Sequence, residues 1–326
     1  MRNGFLERLL SRSGRPLVIA HRGDSFHAPE NSLEAARLGW EAGADAWELD
    51  VQLARDGVAV IFHDDVLTRT TDVAVRFQGD PRGDVGFRLS DFDWSELRNL
   101  DAGAWFVEEG GSSRSARALG TLHDMPPTRR ELYRSGRVRI PTLRDALALT
   151  ADLDWLVNIE IKSFPDRPDG LIEAVLATIA ETGTASRVLL SSFDHRDLAR
   201  IADRVASGPG ELEAIPRGIL VSTPLYRPHA YLREIVGART LHASAEILGS
   251  ESIDYRRRPS PRALAVAEVA DLKAAGVPVL VYTVNDHHPG GLAEHLAEIG
   301  VDALFTDDPE GLKARFDDRY VRSATA

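Results

Sequence analysis

The sequence predicts an α/β protein, a (β/α)8 TIM barrel forming a single domain over residues 1–326, with an insertion at about 65–139 after the second barrel strand. Three observations carry that expectation. Eight short apolar runs alternate with amphipathic stretches, the pattern of successive parallel β/α units. The length of 326 residues suits this fold. A ninth run, Val58 to Phe62, falls outside the eightfold count, but it follows Ala54-Arg55-Asp56-Gly57, a hairpin-type turn, and so folds back beside the second strand.

Taken in order, Leu17 to Ala20 opens the barrel, and Ser32 to Ala42 reads as the first helix with Asn31 as its cap. Ala46 to Val51 is the second strand, and pairing across the hairpin turn brings His63 near Glu48. The insertion is too long for an ordinary βα loop and must carry structure of its own. Within it Ser90 to Leu100 has a helical pattern, Glu108 to Ser115 is rich in Gly and Ser, and Pro126-Pro127 marks a break. It is expected over the C-terminal face of the barrel, either as a lid that shapes the substrate or as a segment that only packs there. Pro141-Thr142 opens the next helix. The remaining strands are Trp155 to Ile161, Val188 to Ser191, Gly218 to Val221, Thr240 to Ala243, Val277 to Val284 and Ala303 to Phe305, with helices at Pro261 to Ala275 and Gly291 to Ile299.

Chemistry is concentrated in the first fifth of the chain. Ala20-His21-Arg22-Gly23 is followed by Pro29-Glu30-Asn31, Glu48-Leu49-Asp50 and His63-Asp64. Glu48 and Asp50, at i and i+2 on a strand, leave it on one face. Side by side they repel, and apolar Ala46, Trp47, Leu49 and Val51 around them argue against a solvated strand face. A divalent cation resolves the repulsion, and oxygen ligands favour Ca²⁺ or Mg²⁺. With His21 and His63 at neighbouring strand ends, the set reads as a metal-assisted acid/base site. Glu160 and Lys162 repeat the i, i+2 spacing on the third barrel strand, where an internal salt bridge is the competing reading.

Together these motifs resemble the glycerophosphodiester phosphodiesterase family. The family pattern of His-Arg-Gly, Pro-Glu-Asn-Thr, Glu-x-Asp, Asp-Gly, His-Asp and Arg-Thr-Thr appears in order as His21-Arg22-Gly23, Pro29-Glu30-Asn31-Ser32, Glu48-Leu49-Asp50, Asp56-Gly57, His63-Asp64 and Arg69-Thr70-Thr71. Pro141-Thr142-Leu143, Glu160-Ile161-Lys162, Ser192-Phe193-Asp194, Thr283-Val284-Asn285 and Thr306-Asp307-Asp308-Pro309 extend it over roughly residues 17 to 315. The resemblance implies metal-dependent hydrolysis of a glycerophosphodiester to an alcohol and sn-glycerol 3-phosphate. It implies His21 and His63 as general acid and base, without assigning which is which, and Glu48, Asp50 and Glu160 as ligands of a Ca²⁺ or Mg²⁺ ion. It further implies Arg22 and Lys162 as phosphate-binding cations, with Glu30 orienting Arg22. Tyr282 stands where the family usually has tryptophan, and keeps an aromatic wall at the substrate site.

Composition sets the remaining bounds. A chain that is 43% hydrophobic and 27% charged buries a large core. The absence of cysteine excludes disulfides, thiolate ligands and a cysteine nucleophile. A formal charge of -11 argues against a nucleic-acid binder, so an anionic substrate must rely on local positive charge. No window has the length and apolarity of a membrane span or signal peptide, and the protein is expected to be cytoplasmic. No Gly-x-Ser-x-Gly elbow, zinc helix or phosphate loop is present, and Arg256-Arg257-Arg258-Pro259 reads as a solvated basic loop. A lysophospholipase D or sphingomyelinase D-like enzyme would share the same polar set but needs an apolar channel. Phe87, Phe92, Trp94, Trp105 and Phe106 of the insertion either line such a channel or form the insertion's own core.

Overall fold

The computed structural model describes residues 3–11, 14–108, 122, 124–164, 170–206, 210–249 and 261–324. Segments 109–115 and 256–259, singled out above, lie outside these. Among the described residues the strands are β1 (Leu17–His21), β2 (Ala46–Leu53), β3 (Ala59–Ile61), β4 (Val157–Ile161), β5 (Val188–Ser192), β6 (Arg217–Val221), β7 (Thr240–Ser244), β8 (Val279–Tyr282) and β9 (Ala303–Thr306). They form one sheet in the order β1-β9-β8-β7-β6-β5-β4-β2-β3, and pairing of β1 with β2 closes it into a barrel. Every barrel pairing is parallel, whereas β3 lies antiparallel beside β2 with Val51 opposite Ile61. The eight predicted runs are thus the eight barrel strands, and the ninth is the folded-back hairpin.

Period-two alternation decides what each strand shows to either side. Trp47, Leu49 and Val51 of β2 and Val157, Ile159 and Ile161 of β4 belong to the core between barrel and helices. There Trp47 stacks on Trp155, ring centroids 6.1 Å apart, and its indole N–H donates to Thr150 Oγ1 at 2.9 Å. The intervening residues point inward. Leu17, Ile19, Ala46, Leu189, Leu280, Ala303 and Phe305 fill the lower barrel, joined by Phe5 and Leu9 of the N-terminal helix Gly4–Ser11. The helix is tied to the start of β5, since Asn3 Nδ2 donates to the carbonyls of Ala185 and Val188, each at 2.9 Å. Burying Phe5 and Leu9 contributes about 1.5–3 kcal/mol each. The barrel is therefore apolar at its N-terminal end and ionised at the other.

A histidine also sits among the inward-facing side chains. His242 of β7 is fully buried, and Gly218 on β6 makes room for it, because a Cβ there would overlap the imidazole. Burial pushes its pKa down to about 3. Below the unfolded value of about 6.5 the unfolded chain binds the proton that the folded chain refuses. This stabilisation is complete above pH 6.5 and is lost as pH falls towards 3, amounting to about 3 kcal/mol between pH 7 and 4.5. Thermal midpoints across that range should fall more steeply for the native chain than for His242→Gln, and parallel curves would remove His242 as the cause.

The insertion carries its own cores. Leu67, Val73, Phe87, Leu89, Phe92, Leu97 and Leu100 pack with Val60, Phe62 and Ile140, while Phe106, Val107, Tyr133 and Val138 pack against Ala28 and Ala35 of the first βα unit. Phe87, Phe92 and Phe106 are buried there, with Trp94 and Trp105 at the edges of the same clusters, so these aromatic residues serve as core. The helix expected over Ser90 to Leu100 is instead a 3-10 turn, Leu89–Asp91, and a short helix, Trp94–Leu97. The chain is extended at Phe92 and Asp93, and the Glu96 carboxylate accepts the Asp93 N–H at 3.0 Å. Pro126-Pro127 is a helix start rather than only a break, with Pro127 in the first turn of Pro127–Arg134.

Candidate active site

The site lies at the C-terminal ends of β1, β2 and β4, where a barrel of this kind gathers its polar side chains. His21 ends β1, and the next two residues are left-handed, Arg22 at φ 58 and Gly23 at φ 81. The bend turns the Arg22 N–H onto Glu48 Oε2 at 2.9 Å. Gly23 is required, since a Cβ would overlap the backbone of Ala35 in the adjoining helix. That helix, Leu33–Glu41, is capped by Ser32, whose Oγ accepts the Ala35 N–H at 3.1 Å. The expected cap, Asn31, is itself left-handed at φ 56 and turns away to Asp50. Its amide donates to Asp50 Oδ2 at 2.8 Å, and its carbonyl oxygen accepts the Asp50 N–H at 3.1 Å. Asn31 thereby belongs to the site.

Glu48, Asp50 and Glu160 converge. Each is buried, and each offers a carboxylate oxygen within 4.8 Å of the others. Asp50 has most of the positive charge, with Lys162 Nζ 3.1 Å from Oδ1 and Arg22 Nε 3.2 Å from Oδ2. Lys162 also pairs with Glu160, so the internal salt bridge weighed above is present. Burial favours the protonated form of Asp50, but Lys162, Arg22, His63 and the Asn31 amide outweigh it and hold the carboxyl far below its usual range. Glu48 shows the opposite balance. Burial, then repulsion from Asp50 and Glu160, pushes its pKa well up despite Arg22 and Lys162, and its Oε1 has no hydrogen-bond partner. Glu160 is likewise raised, chiefly by burial. Two cations serve three acids, and an orphaned buried oxygen faces the cluster, which is the environment a divalent ion relieves.

Each histidine is held by an aspartate. His21 Nδ1 lies 2.7 Å from Asp307 Oδ1, and Asp307 Oδ2 accepts from Asn285 Nδ2 at 2.7 Å. His21 Nε2 faces the cluster, 3.9 Å from Glu48 Oε2. His63 Nδ1 lies 2.6 Å from Asp64 Oδ1. An ionised carboxylate only accepts, so both rings donate from Nδ1, which leaves Nε2 as the unprotonated nitrogen of a neutral ring. Gln52, inward-facing after Asp50, fixes the His63 loop by donating to the carbonyls of Phe62 and Asp64, each at 2.8 Å. The hairpin register, with Val51 opposite Ile61, brings His63 towards the end of β2, where it is among the groups that lower the Asp50 pKa. Glu30 orients Arg22, accepting from its guanidinium at 2.6 Å.

A cavity of about 470 Å³ opens at this mouth, lined by His63, Asp64, Glu160, Lys162, Phe164 and Phe193 among others. A second, of about 530 Å³, adjoins it and shares Lys162, Ser163, Phe164 and Asp194. Tyr282 stands edge-on to Phe193, ring centroids 5.7 Å apart, while its hydroxyl donates to the Val221 carbonyl at 2.9 Å. The structure therefore brings His21, Arg22, Glu48, Asp50, His63, Glu160 and Lys162 together, with Tyr282 behind Phe193. Sequence reasoning passed over Asn31, Gln52, Arg69 and Asp307 as site residues, although Asn31, Arg69 and Asp307 sit inside quoted motifs.

Comparison with known proteins agrees with this geometry. The model of the glycerophosphoryl diester phosphodiesterase family matches residues 21–311. A glycerophosphodiester phosphodiesterase of Caldanaerobacter subterraneus subsp. tengcongensis is 33% identical over 302 residues, covering 91% of this chain and 96% of its own. The solved structure of an Oleispira antarctica phosphodiesterase in complex with the product sn-glycerol-3-phosphate is 30% identical, with TM-score 0.65, covering 93% of this chain and 97% of its own. A structure from Silicibacter pomeroyi, 21% identical with TM-score 0.70 over 96% of this chain and 97% of its own, shares the fold. With that match running from His21 beyond Asp307, the chain belongs to the glycerophosphoryl diester phosphodiesterase family and is an enzyme of that class.

Proposed function

We propose that this protein hydrolyses glycerophosphodiesters to an alcohol and sn-glycerol 3-phosphate, with a divalent ion, Ca²⁺ or Mg²⁺, at Glu48, Asp50 and Glu160 and with His21 and His63 as general acid and base. The carrying observation is the pair of aspartate-held imidazoles beside a buried three-carboxylate cluster. The product bound in the Oleispira relative supports the substrate class. Among the described residues no helix is long and apolar enough to cross a membrane.

Arg22 and Lys162 neutralise the phosphodiester as negative charge builds on it. One imidazole takes the proton of the attacking hydroxyl and the other gives its proton to the leaving alkoxide. Asp307 and Asp64 hold each ring in the tautomer that exposes Nε2 and stabilise the imidazolium form while it lasts. Glu48, Asp50 and Glu160 would hold a divalent ion, which when bound would supply Lewis acidity towards the phosphate and lower the pKa of a nucleophilic hydroxyl. Phe193, backed by Tyr282, gives the mouth its aromatic wall. The aromatic residues that would have lined an acyl channel in a lysophospholipase D or sphingomyelinase D-like enzyme pack within the insertion instead, which favours the glycerophosphodiester reading.

The test is a glycerol 3-phosphate-coupled assay on glycerophosphocholine, glycerophosphoethanolamine and glycerophosphoglycerol, beside a choline-release assay on a lysophosphatidylcholine, each with and without EDTA. Turnover of at least one of the first three, abolished by EDTA, is expected. Turnover of the lysophospholipid alone would replace this reading with the phospholipase one.

A further inference from the structure

We infer that Arg69, in the first turn of the insertion, is a positioning residue that sets His63 and Arg22 relative to one another. The inference rests on the proposed phosphodiesterase reading. Arg69 belongs to the 3-10 turn Leu67–Arg69, just beyond the hairpin. Its guanidinium forks in two directions. On one side it grips Asp64, through Nε to Oδ2 and through a terminal nitrogen 3.0 Å from Oδ1, the oxygen that also holds His63 Nδ1 at 2.6 Å. On the other it grips Glu30, with one nitrogen 2.8 Å from Oε2 and another 2.8 Å from Oε1. Glu30 Oε1 is the atom that accepts from Arg22 at 2.6 Å, and Arg22 in turn lies 3.2 Å from Asp50. An unbroken chain of charge-assisted bonds therefore runs His63, Asp64, Arg69, Glu30, Arg22, Asp50.

A structural clasp at this place would need only one of the two grips. The double grip has a geometric consequence, because a planar fork bound bidentately on both sides leaves neither carboxylate free to rotate alone. Asp64 then keeps His63 Nδ1 in one orientation, while Glu30 keeps the Arg22 head aimed at Asp50. Burial alone would raise the Asp64 pKa, yet its hydrogen bonds from His63 and Arg69 bring it down to about 2, so it stays an acceptor at working pH. Lysine at position 69 would keep the charge and lose the fork.

The test is a double-mutant cycle in steady-state kinetics on whichever diester the native chain cleaves fastest, with Arg69→Gln, His63→Ala and the pair. Substitutions of the residues that hold an active-site group commonly cost about 10- to 100-fold, and Arg69→Gln should lower kcat on that scale while raising KM as Arg22 loses its aim. Adding Arg69→Gln to His63→Ala should cost clearly less kcat than Arg69→Gln costs the native chain, because the share of its effect that runs through His63 is gone, while the KM rise that runs through Arg22 persists. Multiplying losses would overturn the proposal, as would near-native kcat in Arg69→Gln. If Arg69→Gln does not fold by its thermal midpoint, Arg69→Lys carries the same cycle with the same expectation. A native chain that cleaves diesters other than glycerophosphodiesters would sink the proposed substrate and leave this cycle intact.

Discussion

Replacing His21 or His63 by alanine is expected to lower kcat about 10²- to 10⁴-fold, the range for a general acid or base, while the thermal midpoint moves little. Neither imidazole is part of the apolar packing. His21 and His63 stand at the barrel mouth, where Asp307 holds the first through Nδ1 and Asp64 holds the second. Asp307→Asn should fall in the same direction as His21→Ala, because an amide donates as well as accepts and permits the wrong tautomer of the ring. Its KM should hardly move, since Asp307 acts by holding the His21 ring. Near-native turnover in either histidine variant removes that residue from proton transfer. Unfolding of both variants at the assay temperature would instead mark the pair as structural.

Chelation of divalent ions should abolish turnover, and Ca²⁺ or Mg²⁺ should restore it. Glu48 and Glu160 are held towards protonation by burial, with repulsion from neighbouring acids adding to the effect. A divalent ion supplies what a proton otherwise would, and does so with charge to spare. Glu48→Gln, Asp50→Asn and Glu160→Gln should each weaken the ion measured directly by titration calorimetry. Asp50→Asn should also cost stability, because it strips Arg22 and Lys162 of their shared partner and leaves two buried cations with less compensation. Glu48→Gln should cost the least, because an amide oxygen can still accept the Arg22 N–H that Glu48 Oε2 accepts, whereas Asp50 and Glu160 each pair with Lys162. Full turnover in excess chelator would end the metal assignment.

The barrel is legible in the sequence because each of its strands is apolar towards the helices, which leaves a short alternating or continuous apolar run at each strand. The site acids and histidines are legible for a related reason. They sit at strand ends, where alternation fixes which way they face, and on this logic Glu48 and Asp50 had to meet. Partnership between distant segments is not carried by any local pattern. Asp307 lies 286 residues from the His21 it orients, and nothing near it in the chain announces that contact. Asn31 misleads for a different reason. It has the side chain of a cap, but its neighbour Ser32 performs that task, freeing Asn31 to meet Asp50. The insertion's aromatic residues could be read from composition either as channel or as core, and only packing separates the two.

The N-terminal helix closes the barrel floor with Phe5 and Leu9, beneath a lower interior filled by packed apolar side chains. A vessel sealed at its base has one door. Whatever reaches Lys162 and the histidines arrives through the mouth, and every fragment released there must leave against the incoming traffic. The phosphate-bearing fragment keeps the group that Arg22 and Lys162 are proposed to grip, so while it lingers it occupies the place of the next molecule. Inhibition by that fragment should accordingly be competitive, overcome by raising substrate, and its strength should follow the same two cations that speed the reaction.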